Sequence, residues 1–180
     1  TIEGGRTSDL PLLKYNPENL LVDKNNTVWY SNQNIIYKYS IPEKSTTQIN
    51  ANMRGDFTCF RENGDSILAA HFDVVGFIKD SSFVVLAKTP DDFPDSRIED
   101  ILIGPDHRIW IAKCNGVMAC TPGKDKFRFI PGLEGVCARV LFKDQGNIFI
   151  GTYGNGYFIW KNGKLMKPPL DRNKFLSHAH

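Results

Sequence analysis

The chain has 180 residues, of which 41% are hydrophobic and 23% charged, a balance that is ordinary for a folded globular protein. Its 22 basic residues nearly cancel its 20 acidic ones, and no basic run alternates with aromatic residues, so the composition argues against a nucleic-acid partner. No apolar stretch approaches the roughly 18 residues that a membrane-spanning segment needs, and none is predicted.

Short runs rich in β-branched and aromatic residues follow one another from the beginning of the chain. An apolar run at 10–16 comes first, and a group of four such runs then extends over 17–50, with Pro, Asn or Asp between the runs. Because these residues supply the positive or fixed φ that a tight reversal needs, the group predicts a four-stranded antiparallel meander.

The same order of runs returns three times. Residues at the corresponding point of the four second strands are separated by 39, 42 and 39 positions: Trp29, Leu68, Trp110 and Phe149. A period near 40 with four strands in it is typical of a β-propeller blade, and the 3.6-residue periodicity of helical repeats is absent. We therefore predict an all-β fold, an incomplete propeller of four four-stranded antiparallel blades. Its parts are an orphan outer strand at 10–16, blades at 17–50, 55–88, 97–130 and 135–168, and the start of a further blade at 174–180.

The four repeated residues of the second strands are interpreted as structural. Each is expected to pack between neighbouring blades, and an aromatic side chain removes about 150–250 Å² from water in doing so. Stacking against a sugar is the alternative role. A position that recurs in every blade is, however, what a structural repeat predicts.

Two segments carry a more specific pattern, DQGNIFIGTYGNG at 144–156 and DHRIWIAKCNG at 106–116. This pattern resembles the two-component regulator propeller repeat. Similar repeats form the extracytoplasmic sensor region of hybrid histidine kinases and of some membrane-bound regulators in Bacteroides-type bacteria, which respond largely to glycans. The resemblance implies a periplasmic sensor domain in a phosphorelay signal-transduction protein, and a parent chain that could carry a histidine kinase.

The cysteines show no C-x-x-C spacing, so a zinc or redox motif is not predicted. All four are interpreted as small buried hydrophobes: Cys59, Cys114, Cys120 and Cys137. In an oxidising compartment Cys114 could pair with Cys120. A two-residue turn at Asn115-Gly116 would, however, set Cys120 opposite Ile111, and that register argues against the bridge.

No constellation of catalytic or metal-binding residues is predicted, and neither is a cofactor. His71 and Asp73 form the one local pair that could act as an acid and a base, but no second His or carboxylate cluster accompanies them. We interpret them as a polar reversal between strands. The acidic residues at 91–95 lack the spacing of a calcium loop.

One mouth of the propeller channel is predicted to bind a ligand. If the first strand of each blade is innermost, the loops between second and third strands open on the same side as the connections between blades. The residues that this places together are Arg54, His71, Asp73, Asp92, Arg97, Asn115, Tyr153 and Asn155. Tyr153 and Arg97 are expected to stack on and hydrogen-bond a polar small molecule or oligosaccharide. The opposite mouth would carry Asn25, Asp65, His107 and Gln145.

Two function classes remain open at this point, a non-catalytic sensor and a propeller enzyme of the lyase or lactonase type. The enzyme would need several His and carboxylates at one end of the channel. The four histidines do not provide this, since His107 falls at the end opposite His71. The distribution favours the sensor.

The chain is expected to be part of a longer protein, because it starts without Met and stops in mid-pattern. Propellers protect their sheet edges by closing a ring. Four blades would leave apolar side faces near Trp29 and Phe149 uncovered, so further blades of the parent chain are expected to cover them. The isolated piece is predicted to form a homo-oligomer.

Overall fold

The computed structural model describes residues 19–32, 34–51, 53, 56–79, 81–90 and 97–168. Within these ranges the chain forms sixteen β-strands and no helix. The orphan strand predicted at 10–16, the further blade predicted at 174–180, and the predicted site residues Arg54 and Asp92 lie outside the described residues.

The strands form four sheets of four, each antiparallel and each in chain order. Blade 1 contains β1 (Leu20–Val22), β2 (Thr27–Asn32), β3 (Ile35–Ser40) and β4 (Ser45–Asn50). Blade 2 contains β5 (Phe57–Asn63), β6 (Ser66–His71), β7 (Val74–Lys79) and β8 (Ser82–Lys88). Blade 3 contains β9 (Ile98–Ile103), β10 (Ile109–Lys113), β11 (Gly116–Cys120) and β12 (Arg128–Phe129). Blade 4 contains β13 (Ala138–Asp144), β14 (Asn147–Thr152), β15 (Tyr157–Lys161) and β16 (Lys164–Met166).

The four sheets follow one another as blades of an arc. First strands contact first strands, since β5 lies against β1 and β9, and β9 lies against β13. Each second strand also packs on the first strand of the next blade. The prediction of an all-β fold with four four-stranded antiparallel blades is confirmed.

Three apolar layers hold the arc together, one at each junction between blades. Trp29 packs between blades 1 and 2 with Phe57 and Phe60, and Leu68 packs between blades 2 and 3 with Ile98 and Ile101. The third layer contains Trp110 together with Leu141 and Ile148 of blade 4. In each case strand alternation turns the residue toward the following blade. The expectation that Trp29 borders an uncovered face is therefore wrong, because Trp29 faces blade 2.

The two ends of the arc differ in a way that the sequence interpretation did not anticipate. On the far face of blade 1, Tyr30 and Tyr37 are buried, with their rings stacked at 4.8 Å. On the far face of blade 4, Val140 and Phe142 are 50% and 57% exposed. The expectation of two bare end faces is thus wrong for the tyrosines of blade 1, while blade 4 presents apolar side chains to solvent.

The hairpin between β10 and β11 has a different register from the predicted one. Its two turn residues are Cys114 and Asn115, so Cys120 lies opposite Ile109 and not Ile111. Gly116 has a φ of 143°, and a Cβ there would come within 2.6 Å of the Phe129 ring. The glycine is therefore needed for backbone conformation and close packing at the start of β11, and it does not sit in the turn itself.

Candidate functional site

The channel through the arc has two mouths, formed by different loops. The connection rim consists of the turns between second and third strands and of the segments that join one blade to the next. The hairpin rim consists of the turns between first and second strands and between third and fourth strands. The predicted site residues that the structure describes lie on the connection rim: His71, Asp73, Arg97, Asn115, Tyr153 and Asn155.

Backbone hydrogen bonds fasten the turns of the connection rim to the connections between blades. The Thr89 amide donates to the Asp73 carbonyl at 2.8 Å in blade 2. The Gly135 amide donates to the Asn115 carbonyl at 2.8 Å in blade 3, and the Tyr153 amide donates to the Cys137 carbonyl at 2.8 Å. Because each turn is held by the next segment of chain, the rim is a preorganised surface.

A disulfide between Cys114 and Cys137 adds a covalent link to the same rim. It joins the β10–β11 turn to the segment that enters blade 4, 23 residues later. The interpretation of these two cysteines as buried hydrophobes was wrong. The sequence did contain a clue, because a second-to-third-strand turn and the following connection share one rim, and each carries a cysteine.

The two remaining cysteines are free thiols, and they fit the original interpretation better. Burial raises the pKa of Cys120 to about 11 and that of Cys59 still further. A thiol whose pKa is raised in this way is protonated at neutral pH and is a poor nucleophile and metal ligand.

His71 and Asp73 do not form the acid–base pair that their spacing suggested as a possibility. His71 ends β6 and is 4% exposed, with its ring edge-on to Phe57 at 5.5 Å. Within the described part of the chain neither of its ring nitrogens has a hydrogen-bond partner. The Asp73 carboxylate instead lies 3.5 Å from the Lys88 ammonium group. His71 is therefore a buried residue of the junction between blades 1 and 2.

The two residues chosen as ligand contacts are both accessible. Tyr153 is 74% exposed in the β14–β15 turn, and its neighbour Asn155 is also exposed. The Arg97 side chain is 54% exposed immediately before β9. Its guanidinium Nε donates to the Glu99 carboxylate at 3.4 Å. The second oxygen of Glu99 lies 2.9 Å from the Arg139 guanidinium of blade 4.

Lys113 is a rim residue that the sequence interpretation missed. It ends β10 and is only 1% exposed. Burial lowers the pKa of Lys113, and the charge of Asp73 partly opposes that effect. The signal that could have found it is its repeat position, because the second strands end in polar residues in all four blades: Asn32, His71, Lys113 and Thr152.

Two cavities lined by described residues lie at the other mouth. A cavity of about 530 Å³ opens on the hairpin rim between blades 1 and 2, with Trp29 on its wall. Four carboxylates and two lysines surround it: Asp23, Glu43, Glu62, Asp65, Lys24 and Lys38. A smaller one of about 340 Å³, beside Asp106 and Arg108, occupies the related place between blades 3 and 4. Both cavities thus lie at the mouth opposite the ligand rim chosen from the sequence.

The two tryptophans of the repeat make equivalent hydrogen bonds at the hairpin rim. The Trp29 indole donates to the Asp23 carboxylate at 2.8 Å, and the Trp110 indole donates to Asp106 at 3.2 Å. Burial by itself would raise the pKa of both carboxyls, but these and other hydrogen bonds outweigh it and hold each pKa below its ordinary value. Since Trp29 is 7% and Trp110 0% exposed, neither offers a face for a sugar to stack on.

No group of three or more His, Cys, Asp or Glu in the described part of the chain is arranged to hold a metal ion. Among the same residues no helix is long and apolar enough to cross a bilayer.

Solved structures share this architecture, although no protein-family model and no curated protein matches the chain. The extracellular domain of the putative hybrid two component system BT4673 from B. thetaiotaomicron aligns with a TM-score of 0.65 at 14% identity, over 82% of this chain and 21% of that one. The corresponding domain of BT3049 from the same organism aligns with a TM-score of 0.60 at 14% identity, over 81% and 20%. Virginiamycin B lyase from Staphylococcus aureus aligns with a TM-score of 0.67 at 17% identity, over 86% and 56%.

At these identities the likeness establishes the fold, a β-propeller arc. The chain spans about a fifth of the length of the two-component chains that it matches. Their titles describe extracellular parts of signalling systems, and the third structure is an enzyme built from the same kind of blade.

Proposed function

We propose that this chain is a non-catalytic sensor segment of a two-component signalling protein, and that it binds a polar ligand such as an oligosaccharide at the connection rim. The observation that carries the proposal is the match of 82% and 81% of this chain to extracellular domains of two such systems. The repeat pattern at 144–156 supports the same family independently of the fold.

The proposed location is outside the cytoplasm. Disulfides persist in oxidising compartments and are rare where thiols are kept reduced. The Cys114–Cys137 bond, which joins two blades, therefore supports a periplasmic or extracellular site. The match to extracellular domains points in the same direction.

A lyase or lactonase is the alternative, and the likeness to virginiamycin B lyase is what favours it. Acid–base catalysis requires titratable groups within reach of one substrate. The two histidines that the structure describes do not meet this condition, because His71 is buried near the connection rim and His107 lies in a turn of the hairpin rim. The sensor remains the better proposal.

The test is a screen of neutral and acidic oligosaccharides against the full-length protein, on an array and by thermal shift. For any sugar that binds, we expect Tyr153→Ala and Arg97→Ala each to weaken affinity by about tenfold or more, as loss of a stacking or charged contact does. Arg128→Ala is the matched control, because Arg128 is exposed on the outer strand β12. Unchanged affinity in both rim variants would show that the sugar binds at another place on the protein. Turnover of a bound sugar would favour the enzyme.

The proposal also includes further blades. The far face of blade 4 exposes Val140 and Phe142, with Phe149 beside them. Apolar faces of this kind associate in water. We propose that a further blade of the parent protein covers this face, and that the isolated chain instead covers it by associating with itself.

A further inference from the structure

Three of the innermost strands carry the same irregularity. In β5, β9 and β13 one residue near the beginning of the strand has no partner in the second strand, so the register shifts there. The extra residues are Thr58, Glu99 and Arg139. Bulges redirect side chains and are over-represented beside functional sites. Their recurrence at the connection rim, next to the channel, marks this part of the rim as a shaped surface.

Two of these residues belong to an arginine cluster, which we define as Arg97, Glu99 and Arg139. Arg97 and Arg139 share the Glu99 carboxylate, which is 14% exposed, whereas the two guanidinium side chains are 54% and 48% exposed. A guanidinium has five N–H donors. Among the described residues each of these arginines donates only to Glu99, and about half of each side chain is open to solvent.

Arg61, which lies in the same channel, is an arginine with a structural role and serves as a comparison for Arg97 and Arg139. It is ion-paired with Asp100 and also donates to the carbonyls of Ile101 at 3.2 Å and Leu141 at 3.1 Å. The Leu141 amide in turn donates to Asp100 at 2.8 Å. Arg61 thereby ties three innermost strands together. Among the described residues Arg97 and Arg139 have no such set of backbone acceptors, and Glu99 is the partner that they share.

Lys113 ends the strand next to β9, but it does not belong to this cluster. Its Cα pairs with that of Ile98, and cross-strand partners point to the same face of the sheet, which for Ile98 is the face toward blade 2. The carboxylate whose charge acts on Lys113 is Asp73 of blade 2. The cluster therefore holds two cations and one carboxylate, and among the described residues no carboxylate other than Glu99 forms an ion pair with Arg97 or Arg139.

The cavity between blades 1 and 2 at the opposite mouth has the reverse balance, since four carboxylates and two lysines surround it. This local excess of negative charge disfavours an anion in that cavity.

We propose that the arginine cluster binds the anionic group, carboxylate or sulfate, of a small polar ligand. Arg97 and Arg139 contact it directly, and it competes with Glu99 for their N–H donors. The inference rests on the proposed function, because it assigns a ligand class to the same rim. It predicts acidic saccharides rather than neutral ones.

The test is calorimetric titration of the full-length protein with matched disaccharide probes: a uronate-containing one, a sulfated one and the neutral parent of each. We expect the acidic probes to bind at least about tenfold more tightly than the neutral ones, with affinity falling as salt is raised. Comparing the uronate probe with the sulfated probe shows whether the site prefers a carboxylate or a sulfate group. Equal binding of neutral and acidic probes at the rim would overturn the anion assignment and leave the proposed function intact.

Variants separate direct contact from positioning. Arg139→Gln should lower the affinity for the acidic probe about tenfold, and Arg139→Lys should restore part of it by keeping the charge without the planar fork. Glu99→Gln should leave that affinity unchanged or higher, because it removes a competing negative charge. If Glu99→Gln weakened binding as much as Arg139→Gln does, Arg139 would act only through Glu99 and the proposal would fail. If no acidic probe bound, the anion proposal would also be overturned. If neutral sugars bound in that case, the result would support the proposed sensor function without the anion site.

Discussion

The far faces of blades 3 and 4 are built from the same repeat but meet different surroundings. In blade 3, Trp110 and Val117 are fully buried against blade 4. In blade 4, Phe149 occupies the position of Trp110 but is only half-buried, and Phe142 beside it is 57% exposed. The difference shows that each repeat specifies a sheet with two apolar faces. Whether a face is covered depends on the next blade, as in other repeat proteins.

The largest expected effect on stability comes from truncating Trp110, the residue of this pair that the next blade covers. We expect Trp110→Ala to lower the free energy of unfolding by about 3 to 5 kcal/mol, the usual cost of emptying a buried aromatic site. Phe149→Ala at the equivalent position should cost about 1 kcal/mol or less, because its face is open to solvent. Urea denaturation of the two variants measures both values. Equal losses would show that the far face of blade 4 is covered in solution.

The disulfide between blades 3 and 4 allows a second test of the comparison. Within the described part of the chain, blade 3 is the only blade that packs against blade 4. Replacing both Cys114 and Cys137 by Ser should lower the free energy of unfolding by about 2 to 4 kcal/mol. We expect hydrogen exchange to quicken most in blade 4, and the wild type in reducing agent to behave in the same way. The double variant Cys59→Ser/Cys120→Ser tests whether the loss is due to the bond. This variant keeps the Cys114–Cys137 bond, so it should be as stable as the wild type under oxidising conditions and should lose the same stability in reducing agent.

Lys113→Met is expected to act in the opposite direction and to stabilise the chain. The unfolded chain keeps the Lys113 proton up to the ordinary pKa of 10.5, whereas burial lowers that pKa in the folded protein despite Asp73. Between the two pKa values the unfolded state binds more protons, so the free energy of unfolding of the wild type rises with pH. At neutral pH the buried charge destabilises, and the variant should gain about 1 to 2 kcal/mol.

The measurement is a pair of urea midpoints, one near neutral pH and one near pH 10, for the wild type and for Lys113→Met. The advantage of the variant should shrink at the higher pH. A wild type that is the more stable protein at neutral pH would show that Lys113 has a compensating partner.

The smallest effect on stability is expected from making the open face polar. Phe142→Glu should change the free energy of unfolding by about 0.5 kcal/mol or less, because Phe142 is 57% exposed. Self-association, however, should fall, because the apolar face is lost. Light scattering over a range of concentrations measures this. A wild-type chain that stays monomeric at high concentration would contradict the proposed self-association.

Much of the fold was predictable because the information is local. Alternating apolar residues and turn residues recur with a period near 40, and the structure contains four antiparallel sheets at those places. The site was predictable only in outline. Tyr153 and Arg97 lie on the expected rim and are exposed, whereas His71 is buried against Phe57. Exposure at the end of a strand depends on the neighbouring blade, which periodicity does not describe.

By itself, then, the sequence determined the strands, their order and the repeated tryptophan positions, since period-2 alternation and turn chemistry act between near neighbours in the chain. Only the tertiary structure decided the Cys114–Cys137 bond, the sharing of Glu99 between Arg97 and Arg139, and the burial of Lys113. The disulfide and the shared carboxylate join residues of different strands or blades, and the burial of Lys113 likewise depends on neighbouring strands. Each also depends on a turn or bulge that shifts the register by a residue, and such a shift changes which side chains meet without changing the pattern of apolar residues.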